Sequence, residues 1–364
     1  MLIPPELCRL YPRVLHFLVL FVLAFTFFML STSGSFLWAK EESPLTSPKP
    51  TSLSGVDSMA DSYASFKSIK GPVILTSGQR LVGVHVTSSN GPCIVVTQAS
   101  NVLIENNHIG PCKSGDVYAV GVNAESVDHL EVKHNRFIDN STAFYMQGKG
   151  NTKSSDHIVF EGNLARGIRG PMPRGQMVQL NAVNGSDIII RCNVSDQAIG
   201  GYGSGPEDHI NIYKSSGTPQ SPIQILHNKL RGGGSQSGGG ILSVDDGDGA
   251  NVVIAGNILV NPGQYGIGVP SGTNVKVVQN LIYSRQYPWT NVGIYVWNQY
   301  PNTACDRIEV SGNRVNYINK VGAPNPYWDS KNCGNVEIHD KNTWNDTTLS
   351  SSIWDALVPQ CSKI

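Results

Sequence analysis

Acidic and histidine side chains are concentrated in two short segments near the middle of the chain. The first segment contains Asp208 and His209, and the second contains Asp245 and Asp246 within a glycine-rich stretch. Two carboxyl groups can cleave a glycosidic bond, because one acid protonates the leaving oxygen while a second carboxylate activates water. Carboxyl groups that pack together acquire different pKa values, so one can hold a proton while the other is charged. We therefore predict Asp208, His209, Asp245 and Asp246 as catalytic residues, with hydrolysis narrowly favoured.

Amide, aromatic and cationic side chains accompany these acids at regular intervals along the sequence. Amides supply donors and acceptors for sugar hydroxyl groups, and aromatic rings that keep a polar group in water can stack on the apolar faces of pyranose rings. This combination predicts a groove for an extended polysaccharide. The residues predicted to bind the substrate are Tyr145, Gln147, Arg174, Gln179, Asn181, Asn211, Tyr213, Lys214, Tyr295 and Trp297.

A second reaction, elimination or epimerisation in a uronate polymer, is open to the same segments. It requires a base for the proton beside the carboxylate and a cation that neutralises this carboxylate. The side chains available for it are His209, Tyr213 and Lys214 for proton transfer, with Arg169 and Arg174 as a fork for the carboxylate. The fixed negative charges of Asp245 and Asp246 disfavour a polyanion at this place unless a metal ion is bound.

The acidic segment from Asp245 has two further interpretations. Hydrolysis needs no cofactor, but Asp245, Asp246 and Asp248 could supply carboxylate oxygens to calcium. The same Asp-Asp-Gly-Asp-Gly run is also typical of a tight turn whose Asp side chains cap local amides. A non-catalytic protein that binds polysaccharide or has a structural role at the cell surface is therefore the alternative function.

A seven-residue pattern that ends in Asn recurs through most of the chain. It consists of a polar residue, an apolar one, any residue, a second apolar one, two variable residues and Asn. Eight copies end at Asn107, Asn135, Asn163, Asn193, Asn228, Asn257, Asn280 and Asn313, and a ninth with one extra residue ends at Asn342. The alternation indicates a short strand with one buried face. Asn tolerates the left-handed backbone of a bend, and its constant register predicts a ladder of amide hydrogen bonds between coils.

A second alternating segment follows each Asn-ended strand, with apolar pairs such as Phe144 and Met146 or Val178 and Leu180. Coils of 23 to 35 residues with two or three short strands fit neither a leucine-rich repeat nor a propeller. We predict an all-β fold, a single-stranded right-handed parallel β-helix solenoid of about nine to ten coils. Outward side chains of equivalent strands then stack in continuous rows, and the predicted substrate-binding residues occupy the row of the second strand.

The Asn-ended coils, over about residues 72–345, resemble the pectate-lyase-like superfamily of right-handed parallel β-helix proteins. The resemblance implies the fold and a choice among polysaccharide lyases, polygalacturonase-type hydrolases, alginate epimerases and non-catalytic adhesins. The stacked acids resemble the polygalacturonase arrangement of carboxylates on adjacent coils. The Gly-His-Gly and Arg-x-Lys signatures of that family are absent from this sequence, so its catalytic roles do not transfer.

The two ends of the chain differ from the repeat region. Residues 1–39 predict an export leader, because Arg9 and Arg13 precede an apolar run from Phe17 to Leu30 and then a cluster of small residues. The run is short for a bilayer-spanning helix, which favours a cleaved signal peptide over a retained membrane anchor. Residues 40–71 are predicted as a Ser/Thr/Pro-rich linker and N-terminal cap. Residues 346–364 are predicted as a C-terminal cap, with Trp354 and Leu357 over the last coil.

Cysteine content and charge limit the classes of partner. Six cysteines follow the leader, and an even number is compatible with disulfides in an exported protein. Cys305 and Cys333 are about one coil apart and are expected to stack, whereas Cys192 and Cys361 have no obvious partner. The 27 basic residues balance the 27 acidic ones, which excludes the basic footprint of a nucleic-acid-binding protein. We expect a secreted, periplasmic or cell-surface monomer whose partner is a polysaccharide.

Overall fold

The computed structural model describes residues 66–113, 117–149, 153–170, 174–198, 206–247 and 249–362. The predicted export leader lies outside the described residues, as do nearly all of the predicted linker and Asp248. Within the described part of the chain, no helix has both the length and the apolar character that crossing a membrane requires.

The described chain winds through three parallel sheets, which we call sheets A, B and C, of 11, 10 and 10 strands. Sheet A stacks β1 (Lys67–Lys70), β4 (Val84–Ser88), β7 (His108–Cys112), β10 (Arg136–Ile138), β13 (Leu164–Arg166), β16 (Val194–Asp196), β19 (Lys229–Arg231), β22 (Ile258–Val260), β25 (Leu281–Ser284), β28 (Arg314–Tyr317) and β31 (Thr343–Trp344). Sheet B stacks β2 (Val73–Leu75), β5 (Ile94–Thr97), β8 (Val122–Glu125), β11 (Phe144–Gln147), β14 (Val178–Asn181), β17 (Ile210–Tyr213), β20 (Ile241–Asp245), β23 (Tyr265–Val269), β26 (Val292–Val296) and β29 (Tyr327–Asp329). Sheet C stacks β3 (Arg80–Val82), β6 (Ser100–Glu105), β9 (Asp128–Lys133), β12 (Ile158–Glu161), β15 (Ile188–Arg191), β18 (Ile223–Leu226), β21 (Ala250–Ala255), β24 (Gly272–Val278), β27 (Cys305–Ser311) and β30 (Val336–Ile338).

This topology confirms the predicted parallel β-helix, a right-handed solenoid with one strand of each sheet in every coil. Sheet C contains the Asn-ended strands, and sheet B contains the second strand of the sequence pattern. The short strands of sheet A follow each Asn directly and are the third strand. Among the described residues, the first strand of the stack is β1, which pairs in parallel with β4 through Lys67 and Val84. The coils therefore include residues that the sequence analysis assigns to the N-terminal cap.

The Asn residues form the predicted ladder at the bend between sheets C and A. The Asn163 amide nitrogen donates to Val132 O at 2.8 Å and to Asn193 Oδ1 at 3.1 Å. Asn163 Oδ1 accepts from the backbone and side-chain nitrogens of Asn135 at 2.8 and 3.1 Å. The left-handed residue of the bend is the one before the ladder Asn, for example Gly162 at φ 65°. The Asn is therefore required for its amide and not for its backbone conformation.

The C-terminal segment does not cap the last coil, which corrects the prediction. Residues 345–361, which we call the strap, run back along the outer face of sheet A and include short 3-10 helices at Ser351–Asp355 and Pro359–Cys361. Trp354 packs against Ile258 and Val260, whereas Leu357 is 91% exposed. Apolar side chains on the outer face of sheet A give the strap a surface to bury. The strap therefore packs there instead of over the last coil.

Disulfides fasten the solenoid at three places. Cys305 and Cys333 are bonded on neighbouring coils as predicted, and Cys93 is bonded to Cys112. The third bond joins Cys192 to Cys361 across 169 residues of sequence. The sequence could not assign this pair, because it depends on where the strap lies.

Replacing both Cys192 and Cys361 with Ser should release the end of the strap. Because the bond closes a long loop, we expect the free energy of unfolding to fall by about 2–4 kcal/mol. Limited proteolysis should then cut the strap first, while the coils stay protected. Chemical denaturation and mass spectrometry of the early fragments measure both effects. Unchanged stability together with an uncut strap would show that the Trp354 contacts alone hold it.

Candidate active site

The predicted acids lie where β17 and β20 are neighbours in sheet B. Asn211 pairs with Leu242 and Tyr213 pairs with Asp245, so β20 contains one extra residue between these pairs. This bulge reverses the predicted alternation at its start. Alternation counted back from Asp245 would place Ser243 outward and Leu242 inward. Instead, Leu242 joins an outward cluster with Tyr265 and Tyr295, and Ser243 is fully buried. After the bulge, Asp245 returns to the outer face beside Tyr213.

One amide connects two carboxyl groups on adjacent coils. Asn211 Nδ2 donates to Asp208 Oδ2 and to Asp245 Oδ2, each at 3.1 Å. These two oxygens are therefore no farther apart than twice that distance. Asn211 Oδ1 is buried and has no hydrogen-bond partner among the described residues. We call Asp208, Asn211 and Asp245 the carboxyl centre.

Asp208 forms the buried side of the carboxyl centre. It is only 2% exposed, and its Oδ1 accepts hydrogen bonds from the Gly239 amide at 2.8 Å and from the Tyr265 hydroxyl. Burial raises the pKa of Asp208 to about 7, against the opposing effect of these hydrogen bonds. A substrate cannot contact a carboxyl group enclosed in this way. This enclosure contradicts the prediction from the sequence that Asp208 is the acid that contacts the substrate.

Asp245 forms the half-buried side of the centre. Burial raises its pKa, while hydrogen bonds from Tyr300 and Asn211 lower it. The Tyr300 hydroxyl donates to Asp245 Oδ1, so both oxygens of this carboxyl group have a donor. A raised pKa keeps a carboxyl group protonated at higher pH, which suits it to act as a general acid.

Asp246 has a different environment from its neighbour. Its side chain is 45% exposed, and its Oδ2 accepts a hydrogen bond from the Tyr213 hydroxyl at 2.5 Å. Lys214 Nζ lies 3.2 Å from the same oxygen. Two consecutive acids thus combine a half-buried carboxyl group with a solvated, ion-paired one.

His209 does not face the groove, which corrects the predicted catalytic role. It is fully buried, with Nδ1 2.8 Å from the Ser195 hydroxyl and Nε2 2.7 Å from Gly232 O. Burial lowers its pKa to about 4, so the ring is neutral. Because both ring nitrogens are engaged inside the fold, His209 cannot exchange a proton with a bound substrate.

The predicted binding residues before the acids do lie together on the outer face of sheet B. Tyr145 pairs in register with Gln179, and Gln179 with Asn211. The Arg174 guanidinium lies 3.9 Å from the centroid of the Tyr145 ring, and Asn181 Nδ2 donates to the Tyr145 hydroxyl at 3.1 Å. That hydroxyl donates to Gln147 at 3.2 Å. The row leads to the carboxyl centre, but Gln179 and Asn211 are only 8% and 5% exposed. The side chains of the row that a ligand could contact are therefore those of Tyr145, Gln147 and Asn181, contrary to the prediction for Gln179 and Asn211.

The predicted binding residues beyond the acids are only partly available. Tyr295 is 7% exposed, lies edge-on to Tyr265 at 5.2 Å and accepts a hydrogen bond from Gln299 at 3.0 Å. Its ring covers Gly268 so closely that a Cβ there would lie 2.6 Å from ring atoms. Tyr295 therefore supports the site from below, contrary to the prediction. Trp297, by contrast, is 41% exposed.

Two tyrosines of the site, Tyr265 and Tyr300, are not among the residues predicted from the sequence. Tyr265 stands at the start of β23, before the part of the strand used to assign the outward row, and Tyr300 lies in the loop after β26. Neither tyrosine belongs to a row of similar side chains in neighbouring coils, so the repeat pattern does not identify it. The Gly-rich composition of the loops near Asp208 was the one available signal, since it allows other side chains to approach closely.

A solvent-facing pocket of about 520 Å³ adjoins Asp246. It lies where sheet B bends toward sheet C. Its lining residues are Ala182, Asn184, Lys214, Ser216, Asp246, Gly247 and Thr303. The exposed side of Asp246 thus opens into space large enough for water and a substrate group.

The residues proposed for uronate chemistry are only partly assembled at the acids. Tyr213 and Lys214 contact Asp246, whereas His209 is buried and the two arginines lie elsewhere. Arg169 donates to Cys112 O at 3.0 Å and to Asp139 O at 2.9 Å. Its guanidinium is therefore bound to backbone carbonyls that are not part of the site. Of the three predicted calcium ligands, Asp248 lies outside the described residues. Within the described residues, no group of three or more His, Cys, Asp or Glu side chains could hold a metal ion. Calcium binding stays a prediction.

Comparison with known proteins gives likeness in fold only. No protein-family model and no curated protein matches the chain. Among solved structures, the catalytic domain of a GH87 alpha-1,3-glucanase in complex with nigerose is 12% identical, with a TM-score of 0.40, over 76% of this chain and 56% of that one. The surface protein and adhesin PfbA of Streptococcus pneumoniae is 11% identical, with a TM-score of 0.37, over 73% and 67%. A GH136 lacto-N-biosidase from Eubacterium ramulus is 9% identical, with a TM-score of 0.33, over 75% and 60%.

This chain therefore spans little more than half of the glucanase catalytic domain. No residue role is transferred from any of these proteins.

Proposed function

We propose that this protein hydrolyses glycosidic bonds inside an extended polysaccharide that lies along the outer face of sheet B. The observation that carries the proposal is the contrast between two consecutive acids. Asp245 is half-buried with a raised pKa, and Asp246 is solvated and paired with Lys214. Such a pair supplies both a proton donor and a charged carboxylate.

In the proposed reaction, Asp245 gives its proton to the glycosidic oxygen as the bond from this oxygen to the anomeric carbon breaks. Asp246 takes a proton from water, and the oxygen of that water forms the new bond to the anomeric carbon. The products are two shorter sugar chains, with Asp245 charged and Asp246 protonated. Proton exchange with solvent restores both acids.

Asp208 and Asn211 would act through Asp245. The Asn211 amide orients the Asp245 carboxyl group and is itself fixed by Asp208. Asp208 in turn is held by Tyr265 and Gly239. A supported acid keeps its geometry during proton transfer, which is a condition for efficient general-acid catalysis.

Hydrolysis is favoured over elimination by the distribution of cations. The reaction on uronates needs a cation for the substrate carboxylate, but Lys214 is paired with Asp246 and Arg169 is bound to backbone carbonyls. Arg174 lies over the ring of Tyr145, in a strand three places before the strand of Asp245. A uronate at this place would meet the carboxylate of Asp246. The elimination of uronates is therefore the weaker proposal.

The proposal is tested by incubating the purified protein with a panel of neutral and uronate polysaccharides, with and without calcium. New reducing ends without absorbance from unsaturated products are the expected result. Unsaturated products, above all if they depend on calcium, would instead assign elimination. Retention of a polysaccharide without any cleavage would support the second candidate, a non-catalytic binding protein, which the Tyr145–Arg174 network also favours.

We also propose that the protein acts outside the cell as a monomer. Three disulfides agree with an oxidising compartment. The predicted leader would direct the chain across the membrane into such a compartment. Whether the leader is cleaved or retained as an anchor stays a prediction.

Tyr300→Phe should change the pH dependence of hydrolysis. Asp245 must be protonated to act, so the rate falls as pH rises through its pKa. The Tyr300 hydrogen bond lowers this pKa, and removing the hydroxyl should move the descending limb of the pH–rate profile to higher pH, with a lower maximum rate. Tyr287→Phe, which removes a phenol hydroxyl bonded to Arg285 on another loop, is the control and should keep the parent profile. A Tyr300→Phe limb that stays in place or moves to lower pH would contradict Asp245 as the acid.

A further inference from the structure

Two tryptophans are exposed together on the outer face of sheet B. Trp297 is 41% exposed and Trp328 is 44% exposed. Their rings contact each other edge to face, with centroids 5.8 Å apart. Large exposed aromatic surface is costly in water, and such patches usually mark binding sites. We call this pair the tryptophan platform.

The platform belongs to the same face as the carboxyl centre but lies farther along the solenoid. Trp328 pairs with Tyr295, Tyr295 with Gly268, and Gly268 with Leu242 of the acid-bearing strand. Trp297 follows the end of β26, one strand before Trp328. At roughly 4.8 Å per strand, the platform stands two to three strands, or about 10–14 Å, from β20 along the axis. A sugar stacked there is not one that flanks the cleaved bond.

The surroundings of the platform favour an uncharged ligand. Asn298 and Asn332 join neighbouring coils, since Asn298 N donates to Asn332 Oδ1 and Asn332 Nδ2 donates to Asn298 O, each at 2.9 Å. The charges nearby are paired, because Lys331 Nζ lies 2.8 Å from Asp329 Oδ2. Indole rings stack on the C–H faces of pyranoses, and the amides suit hydroxyl groups.

We propose that Trp297 and Trp328 bind neutral pyranose units of the polymer, two to three strands from the acids on the side of the last coil. This site rests on the proposed function for its occupant, since the same chain that is cleaved at Asp245 continues across it. The arrangement selects long, neutral chains over short or uronate-rich ones. Trp328 had no role in the sequence prediction.

Binding is measured in the Asp245→Asn background, where turnover does not interfere. Electrophoresis through gels that contain soluble β-glucan, α-glucan, xylan, galactomannan or polygalacturonate gives the affinity for each polymer. We expect retardation by at least one neutral polymer, and about fivefold to tenfold weaker binding after Trp297→Ala or Trp328→Ala. Tyr118→Ala, which removes a side chain 62% exposed elsewhere, is the matched control and should bind like the parent.

Stability and assembly are measured on the same variants. Thermal unfolding shows whether each variant is folded, and Trp328→Tyr should recover part of the affinity if stacking is responsible. Equal affinity of the parent and both alanine variants, or retardation by polygalacturonate alone, would overturn the platform and leave the hydrolase proposal intact. A parent that is dimeric only when both tryptophans are present would also overturn it, because the patch would be a contact between two copies. Retardation lost on Trp→Ala, in a protein that cleaves nothing on the panel, would support the platform while the hydrolase proposal fails.

Discussion

Asp245→Asn should reduce the turnover of a cleaved polysaccharide by about 10²–10⁴-fold, the usual contribution of a general acid. The amide cannot give a proton to the glycosidic oxygen, although it has nearly the same shape. Because the rows of sheet B on either side of Asp245 are unchanged, the affinity for the polymer should stay within a few-fold of the parent value. The initial rate of reducing-end release and the retardation in polysaccharide gels measure the two quantities separately.

The matched control is Asp355→Asn, an exposed carboxylate in the strap over sheet A, which should leave the rate unchanged. Asp246→Asn should lose turnover as fully as Asp245→Asn, since it removes the proposed base. Asp208→Asn should have a smaller effect, because Asp208 acts by holding Asn211. Full activity of the Asp245→Asn and Asp246→Asn variants on every substrate of the parent would rule out the hydrolase assignment.

Asn163→Ala should cause a large loss of stability, because it interrupts the Asn ladder in the middle of the solenoid. The side chain forms hydrogen bonds with Val132 O, Asn135 and Asn193, and all of these groups are buried. Truncation removes the side-chain donor to Val132 O and the acceptor of the Asn135 backbone N–H, whereas the Asn135 amide keeps Ile104 O and Asn193 Oδ1 keeps the Asn163 backbone N–H. Each buried group that loses its partner costs about 1–3 kcal/mol. We expect the free energy of unfolding to fall by about 3–5 kcal/mol.

Urea denaturation followed by circular dichroism measures this loss. Neighbouring coils stabilise one another in a solenoid, so the variant should unfold either at a lower midpoint or in two steps. Asn123→Ala, on the outer face of β8, is the control and should shift the midpoint little. A midpoint for Asn163→Ala within error of the parent would mean that the ladder contributes no net stability.

Much of the architecture follows from the sequence alone. The spacing of Asn107 through Asn342 and the alternation of apolar residues predict stacked coils, because both signals are local and repeat in a fixed register. The Cys305–Cys333 bond and the contiguity of Tyr145, Gln179 and Asn211 are direct consequences of that stacking. Once one coil is placed over the next, equivalent positions become neighbours.

The tertiary structure decided the features that depend on departures from the repeat. A single bulge in β20 sets which residues face outward, and strand alternation without it places Ser243 on the wrong side. The loops between sheets bury His209 and bring Tyr300 to Asp245, although these residues are far apart in sequence. The strap lies along sheet A and joins Cys361 to Cys192. None of these contacts repeats from coil to coil, so each is fixed by non-local packing that no periodic pattern records.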